Sequence, residues 1–228
     1  MGRPPRASEG GLIYHVLNRA NARLAIFDES DDYDAFLRVL GQAVQRFSVQ
    51  LLAYCLMPNH FHLVVRPEVD GELSRFMRWV TLTHTQRWHA QRQSAGSGHL
   101  YQGRFKSFLI QDDDHFIVAC RYVERNALRA GLVARAEEWK WGSLGQHGSR
   151  PINPEAPPLH LWPIPKPRNW IKRVNSSMSP AEEEAIARSI RRSQPFGGQE
   201  WQAEVIGRLG LESTTRPIGR PRKSTNGS

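Results

Sequence analysis

Cysteine is nearly absent from this chain. Its 228 residues contain two, Cys55 and Cys120, and neither belongs to a C-x-x-C pair. That argues against a disulfide framework and a cysteine-rich zinc site, and two reduced thiols in apolar stretches suit a cytoplasmic protein. No apolar run approaches the roughly 20 residues that span a bilayer, and Met1-Gly2-Arg3-Pro4-Pro5-Arg6 lacks the apolar core of a signal peptide. The expectation is a cytoplasmic, nucleoid-associated protein with no membrane partner. Glycine-rich phosphate loops, dinucleotide fingerprints and serine elbows are missing, which removes the commonest nucleotide-dependent and acyl-transfer chemistries. Acid is also scarce: Lys and Arg outnumber Asp and Glu by 31 to 22, giving a net charge of +9. A polyanionic partner, nucleic acid first, follows from that balance. The bias is strongest over 71–111, where Glu72 is the only acid among Arg75, Arg78, Arg87, Arg92, Arg104 and Lys106, with aromatic residues interleaved. Basic groups track phosphates and aromatic faces accept unstacked bases, although an amphipathic helix with core aromatics has the same composition.

The hydrophobic pattern predicts strand, helix, strand, strand, helix, strand, helix. Residues 12–19 alternate as a first strand. Asp31 is placed to cap a helix over 32–47, on which Phe36, Leu37, Leu40, Val44 and Phe47 recur at helical spacing. Residues 49–57 and 60–66 form a hairpin about Pro58-Asn59. A second helix covers 72–93, a fourth strand 104–111, and a third helix, capped by Asp112, runs to about Leu128, where Gly131 stops it. The acids at 28–34 and 112–114 read as helix-start residues rather than metal clusters. This order is an α+β, ferredoxin-like split β-α-β arrangement with a mainly antiparallel sheet and flanking helices. The domain is expected over 1–150, followed by a Pro-rich linker over 151–180, a short helical extension over 181–212 and a disordered basic tail over 213–228.

One pair of histidines stands out. His60 and His62 open the third strand in Met57-Pro58-Asn59-His60-Phe61-His62-Leu63-Val64-Val65. Strand side chains alternate, so both imidazoles point one way and can grip one cation while Phe61, Leu63 and Val65 face the core. About sixty residues on, Tyr122 and Asn126 share a helix face. Tyr122 lies roughly 150° and Asn126 roughly 110° from the centre of that helix's apolar stripe, so neither is expected in the core. Arg121, Arg125 and Arg129 recur on the same helix, placed to hold a phosphate backbone or to stabilise a phenolate. Together these residues suggest attack by a tyrosine on a DNA phosphate that a metal polarises. His15 either reaches this site or is a satisfied core histidine, and His84 and His89, five apart on a helix, make a poor metal pair.

These motifs resemble those of the REP-associated tyrosine transposases, relatives of the single-tyrosine transposases of small insertion sequences in the HUH endonuclease superfamily. The likeness covers about 1–150 and rests on Tyr14-His15-Val16, Met57-Pro58-Asn59-His60-Phe61-His62, Gln102-Gly103-Arg104-Phe105-Lys106, Arg121-Tyr122-Val123-Glu124-Arg125-Asn126 and Arg129-Ala130-Gly131. The resemblance implies Tyr122 as nucleophile and His60, His62 and Asn126 as ligands of a divalent metal, Mg²⁺ or Mn²⁺. It also implies single-stranded DNA hairpins of repetitive palindromes as partner, and a 5′-phosphotyrosine intermediate. Arg104, Lys106, Arg121, Arg125 and Arg129 are the expected backbone contacts. In the tail, Gly219-Arg220-Pro221-Arg222-Lys223 is similar to an AT-hook, which adds Arg220 and Arg222 as DNA contacts. Insertion-sequence relatives usually carry glutamine where Asn126 stands, and the family often has proline where this chain has Ala127. A homodimer and a monomer are both open. A catalytically silent DNA-binding protein at palindromic repeats is the alternative, and an RNA-binding module of the same fold order would leave the histidines and tyrosine unexplained.

Overall fold

The computed structural model describes residues 7–96, 98–147 and 153–216. Four strands, β1 (Ile13–Arg19), β2 (Val49–Met57), β3 (His60–Pro67) and β4 (Lys106–Ile110), form one antiparallel sheet in the order β2-β3-β1-β4. That is the strand order of the split β-α-β fold. Helix α1 (Ser30–Arg46) links β1 to β2 and helix α2 (Glu72–Gln91) links β3 to β4. Strand register assigns the two sheet faces. Phe61, Leu63 and Val65 of β3 lie on one face with Val16 of β1, and helix α1 covers them, with Phe36 and Phe61 ring centroids 4.9 Å apart. The other face carries His60, His62 and Val64 of β3, Leu17 and His15 of β1, and Lys106 and Phe108 of β4. Helix α3 (Asp114–Glu124) and the short α4 (Asn126–Arg129) pack across that second face.

Local chemistry explains where the helices start and stop. Helix α1 begins one residue before Asp31, at Ser30, because the Asp32 carboxylate accepts the backbone N–H of Asp28 at 3.0 Å and of Glu29 at 3.3 Å. The same carboxylate pairs with Arg92 at 2.7 Å, so this acid-rich stretch is a cap and an anchor. The cap of α3 is Asp113, which accepts from the His115 N–H at 2.8 Å, in place of the expected Asp112. The third helix is also interrupted at Arg125. Asn126 turns its side-chain amide onto the carbonyl of Tyr122 at 2.9 Å, the acceptor its own N–H takes in an unbroken helix. Gly131, at φ 71°, ends α4 in the left-handed conformation that costs glycine least.

The Pro-rich stretch is not a linker. Both edges of the sheet present unpaired backbone groups, and the chain after β4 covers them. On the β2 edge, Leu56 N–H donates to the Trp141 carbonyl at 3.0 Å, His160 N–H donates to Leu51 at 2.8 Å, and Trp162 Nε1 donates to Leu52 at 3.0 Å. On the β4 edge, Phe196 pairs with Ile110 in parallel. Between them, α5 (Trp170–Asn175), α6 (Pro180–Arg192) and α7 (Gln199–Leu209) continue the fold. Trp170 is buried and donates to Glu124 at 2.6 Å, while Glu124 also accepts from Ser143 at 2.6 Å. Burial holds the Glu124 carboxyl above its ordinary pKa. The body expected to end near 150 thus extends through 153–216; of the expected basic tail, residues 217–228 lie outside the described residues. No helix among the described residues is long and apolar enough to cross a membrane.

Candidate active site

The hairpin turn at Pro58-Asn59 positions the first two functional side chains. His60 and His62 project from one face of β3 with ring centroids 4.9 Å apart. Tyr122 descends from α3 onto the same face, its ring centroid 5.9 Å from that of His62 and 6.5 Å from that of His15. Residues separated by sixty positions are therefore brought together by one helix crossing one strand pair. The tyrosine is not on an exposed face as its helical phase suggested: it is 6% exposed and Asn126 is 1% exposed. Helix α3 lies between the sheet and the helices of 170–192, so it is buried nearly all round and its apolar stripe does not define a single buried side.

His15 completes the cluster. Its Nε2 lies 2.9 Å from Nδ1 of His62, and its ring stacks on Phe108 at 4.7 Å. Of the two readings open from sequence, the structure places it at the site, behind His62. His60 Nδ1 lies 2.6 Å from Asn59 Oδ1, an acceptor that makes Nδ1 the N–H and leaves the Nε2 lone pair free. For His62, the tautomer whose Nδ1–H donates to His15 leaves its Nε2 able to bind a cation. This is the arrangement of ligating histidines oriented through their second nitrogen. Burial lowers the His60 pKa to about 4, with Arg19 and Arg129 adding to the effect. Burial, then His60 and His15, hold His62 well below the ordinary imidazole value, and burial brings His15 to about 3. All three are neutral near pH 7, the state in which imidazole ligates metal.

Of the two uses its spacing left open, a phosphate contact or the tyrosine oxygen, the structure places Arg129 at the tyrosine. Its Nη2 donates to Tyr122 Oη at 3.2 Å and to Asn126 Oδ1 at 2.9 Å, and the guanidinium sits 4.8 Å from the tyrosine ring centroid. It sets a cation beside the phenol oxygen. Asn126 Oδ1 keeps a second lone pair for a ligand. The candidate donors are two imidazoles and one amide oxygen; no group of three His, Cys, Asp or Glu that could hold a metal occurs among the described residues.

The other expected DNA contacts divide. Arg121 Nη2 donates to the carbonyls of Ser176 and Ser177, and Arg125 Nη1 donates to those of Val174 and Asn175 at 2.9 Å. These guanidiniums cap the C-terminus of α5, whose last carbonyls have no helical partner, and hold it against α3. Arg104 and Lys106 are exposed and form no ion pair among the described residues. Arg220 and Arg222 lie outside the described residues. His84 bonds Tyr101 Oη at 2.7 Å and His89 bonds Ser94 at 2.9 Å, so neither belongs to the site. Sequence reasoning missed Arg19 and Asn59. Arg19 faces His60 across the β1–β3 ladder, a neighbour visible only once register is known.

The family model described as "Transposase IS200 like" matches residues 9–126. The chain belongs to this transposase family. A REP-associated tyrosine transposase of Haemophilus influenzae is 23% identical over 159 residues, spanning 65% of this chain and 88% of that one. A solved structure of a REP-associated tyrosine transposase bound to a REP hairpin superimposes with a TM-score of 0.54 at 16% identity, covering 68% of this chain and 90% of that one. At that identity it shows the shared fold. A transposase from Deinococcus radiodurans matches with a TM-score of 0.39.

Proposed function

We propose that this transposase-family protein cleaves and rejoins single-stranded DNA at hairpins of repetitive palindromes, with Tyr122 as nucleophile. The observation that carries this is the meeting of the Tyr122 ring with the His60 and His62 pair on one sheet face. The hairpin-bound REP transposase of like fold and the REP-associated relative support the substrate class. One chain contributes every one of these side chains, which supports a site complete in a single copy.

His60, His62 and Asn126 are the residues that would hold a divalent cation, Mg²⁺ or Mn²⁺, and their two nitrogen donors suit Mn²⁺ better. When bound, that ion supplies Lewis-acid polarisation of the scissile phosphate. The protein's own groups do the rest. Tyr122 Oη attacks phosphorus as it loses its proton, and the bond from phosphorus to the 3′-oxygen breaks. That oxygen takes up a proton and leaves as a 3′-hydroxyl, while the 5′-phosphate stays on the tyrosine. Arg129 stabilises the negative charge on the phenol oxygen through its 3.2 Å hydrogen bond. His15 and Asn59 hold the two imidazoles in their ligating tautomers. Attack by a second 3′-hydroxyl, which loses its proton, breaks the bond from phosphorus to Tyr122 Oη; the tyrosine regains a proton and a strand is resealed without ATP, because the ester's bond energy is conserved.

The test is incubation of the protein with labelled single-stranded hairpin DNA and Mn²⁺, followed by mass spectrometry of the tyrosine peptides. The expected result is a nucleotide adduct on Tyr122 that Tyr122→Phe abolishes. Cleavage and adduct formation by Tyr122→Phe would refute the assignment.

A second reading, a DNA binder that does not cleave, is favoured by the Arg129 contact that already occupies one lone pair of the Asn126 carbonyl. Binding that survives EDTA, with no cleavage in Mg²⁺ or Mn²⁺, is its signature.

A further inference from the structure

The segment 153–216 lies beyond the residues that the transposase family model matches, which end at 126. Its helices nevertheless reach back to the site. A groove of about 700 Å³ runs between the β1–β4 end of the sheet and the loops after α6 and α7. Arg19, Arg104 and Lys106 line it from the sheet side; Arg192, Ser193 and Ser213 line it from the extension. Four cations line this groove and, among the described residues, no carboxylate does. It adjoins the active site directly, because Arg19 is the cross-strand neighbour of His60, and Lys106 and His62 both flank Leu17 on the same sheet face. The far wall is fixed in place: Phe196 pairs with β4, Gly198 N–H donates to Gln111 Oε1 at 2.8 Å, and Arg192 Nε donates to the Thr214 carbonyl at 2.7 Å. That last bond uses one guanidinium nitrogen and tethers Arg192 at the groove.

We infer that the extension over 180–216 is one wall of the channel that carries a single DNA strand to the tyrosine, with Arg192 contacting a phosphate of that strand. The inference rests on the function proposed above. A cavity of this volume is the size of a small-ligand pocket, so it admits a few nucleotides of one strand and not a duplex. Serine hydroxyls beside a guanidinium and facing other cations are the groups that bind a sugar-phosphate backbone without reading its bases.

The test uses the full chain and two fluorescein-labelled probes, a DNA hairpin with single-stranded flanks and the same hairpin with blunt ends, titrated over a range of salt. Arg192→Ala should weaken binding of the flanked probe by roughly threefold to tenfold at low salt and reduce the slope of log affinity against log salt by about 0.7, the value for one phosphate contact on a single strand. Arg192→Lys should restore most of the slope. Arg191→Ala, which removes a neighbouring cation already paired with Glu184 at 2.7 Å, should change neither. The blunt probe should bind Arg192→Ala as it binds the parent. Unchanged affinity and slope in Arg192→Ala would overturn the inference, as would an equal loss in Arg191→Ala, an equal loss on the blunt probe, or a loss that Arg192→Lys does not restore. In each of those cases binding by the parent chain leaves the proposed function standing; a parent that binds neither probe removes both.

Discussion

Alternate residues of one strand serve opposite purposes here. On β3, Phe61, Leu63 and Val65 point into an apolar layer under α1 and are completely buried. His60 and His62, interleaved with them, point into a layer that holds three imidazoles, a tyrosine and an asparagine beneath α3. The first face stabilises by removing hydrocarbon from water. The second spends part of that stability on buried polar groups whose protonation is disfavoured. It also leaves one of them, His15 Nδ1, without a partner among the described residues. A strand can carry both because its side-chain period is two, so the polar residues cost the opposite face nothing in packing.

The sharpest way to break this comparison is to cut each face once. Phe61→Ala removes a fully buried ring and should destabilise the fold by about 3–5 kcal/mol, seen as a fall in denaturation midpoint with no change in slope. If it left the midpoint unchanged while abolishing activity, the division between faces would be wrong. His60→Ala, one residue away and partly exposed, should do the opposite. Adduct formation should drop by about a hundredfold or more, while the melting temperature stays close to that of the parent.

Acid sharpens the contrast further. His15 titrates at about 3 and His60 at about 4 in the folded chain, against 6.5 for an ordinary histidine, and burial is the main cause in both. The unfolded chain therefore binds protons that the folded chain refuses. The histidine contribution is fully present above about pH 6.5 and is lost as the pH falls from there through about 4 and 3. Each such histidine should steepen the loss by up to about 1.4 kcal/mol per pH unit in that window. His84, also at about 3, lies under the apolar face, so its replacement by glutamine tests how much of the slope belongs there. In EDTA, the double variant His15→Gln and His62→Gln should flatten the slope of urea stability against pH more than His84→Gln does; the reverse order would place the acid-sensitive groups on the wrong face. The smallest effect is expected at Gly131→Ala, where the φ of 71° disfavours any Cβ and stability should fall by about 1 kcal/mol.

Much of this was legible from local pattern. Alternation located the strands, helical spacing the helices of the first 130 residues, and the two-residue spacing of His60 and His62 put both on one face without any knowledge of what lay opposite. What failed did so for want of partners. Helical phase puts Tyr122 at an exposed position because it assumes one buried side, whereas α3 is covered from two. Arg121 and Arg125 looked like phosphate contacts because charge at four-residue spacing is ordinarily solvent-facing, and nothing local announces the carbonyls of 174–177 that receive them. The prolines of 151–168 looked like a linker because proline cannot sit in a central strand, yet an edge needs only a few donors and acceptors and proline-rich chain can supply them.

By itself, then, the sequence determined the α+β order of elements, the shared face of the histidine pair, and the basic character of the chain, since each depends on residues near one another along the chain or on composition alone. Only the tertiary structure decided that Arg129 contacts the tyrosine oxygen, that Arg19 stands beside His60, and that the C-terminal helices pack on α3. Those are juxtapositions set by strand register and edge pairing, contacts between residues dozens of positions apart that no periodicity records.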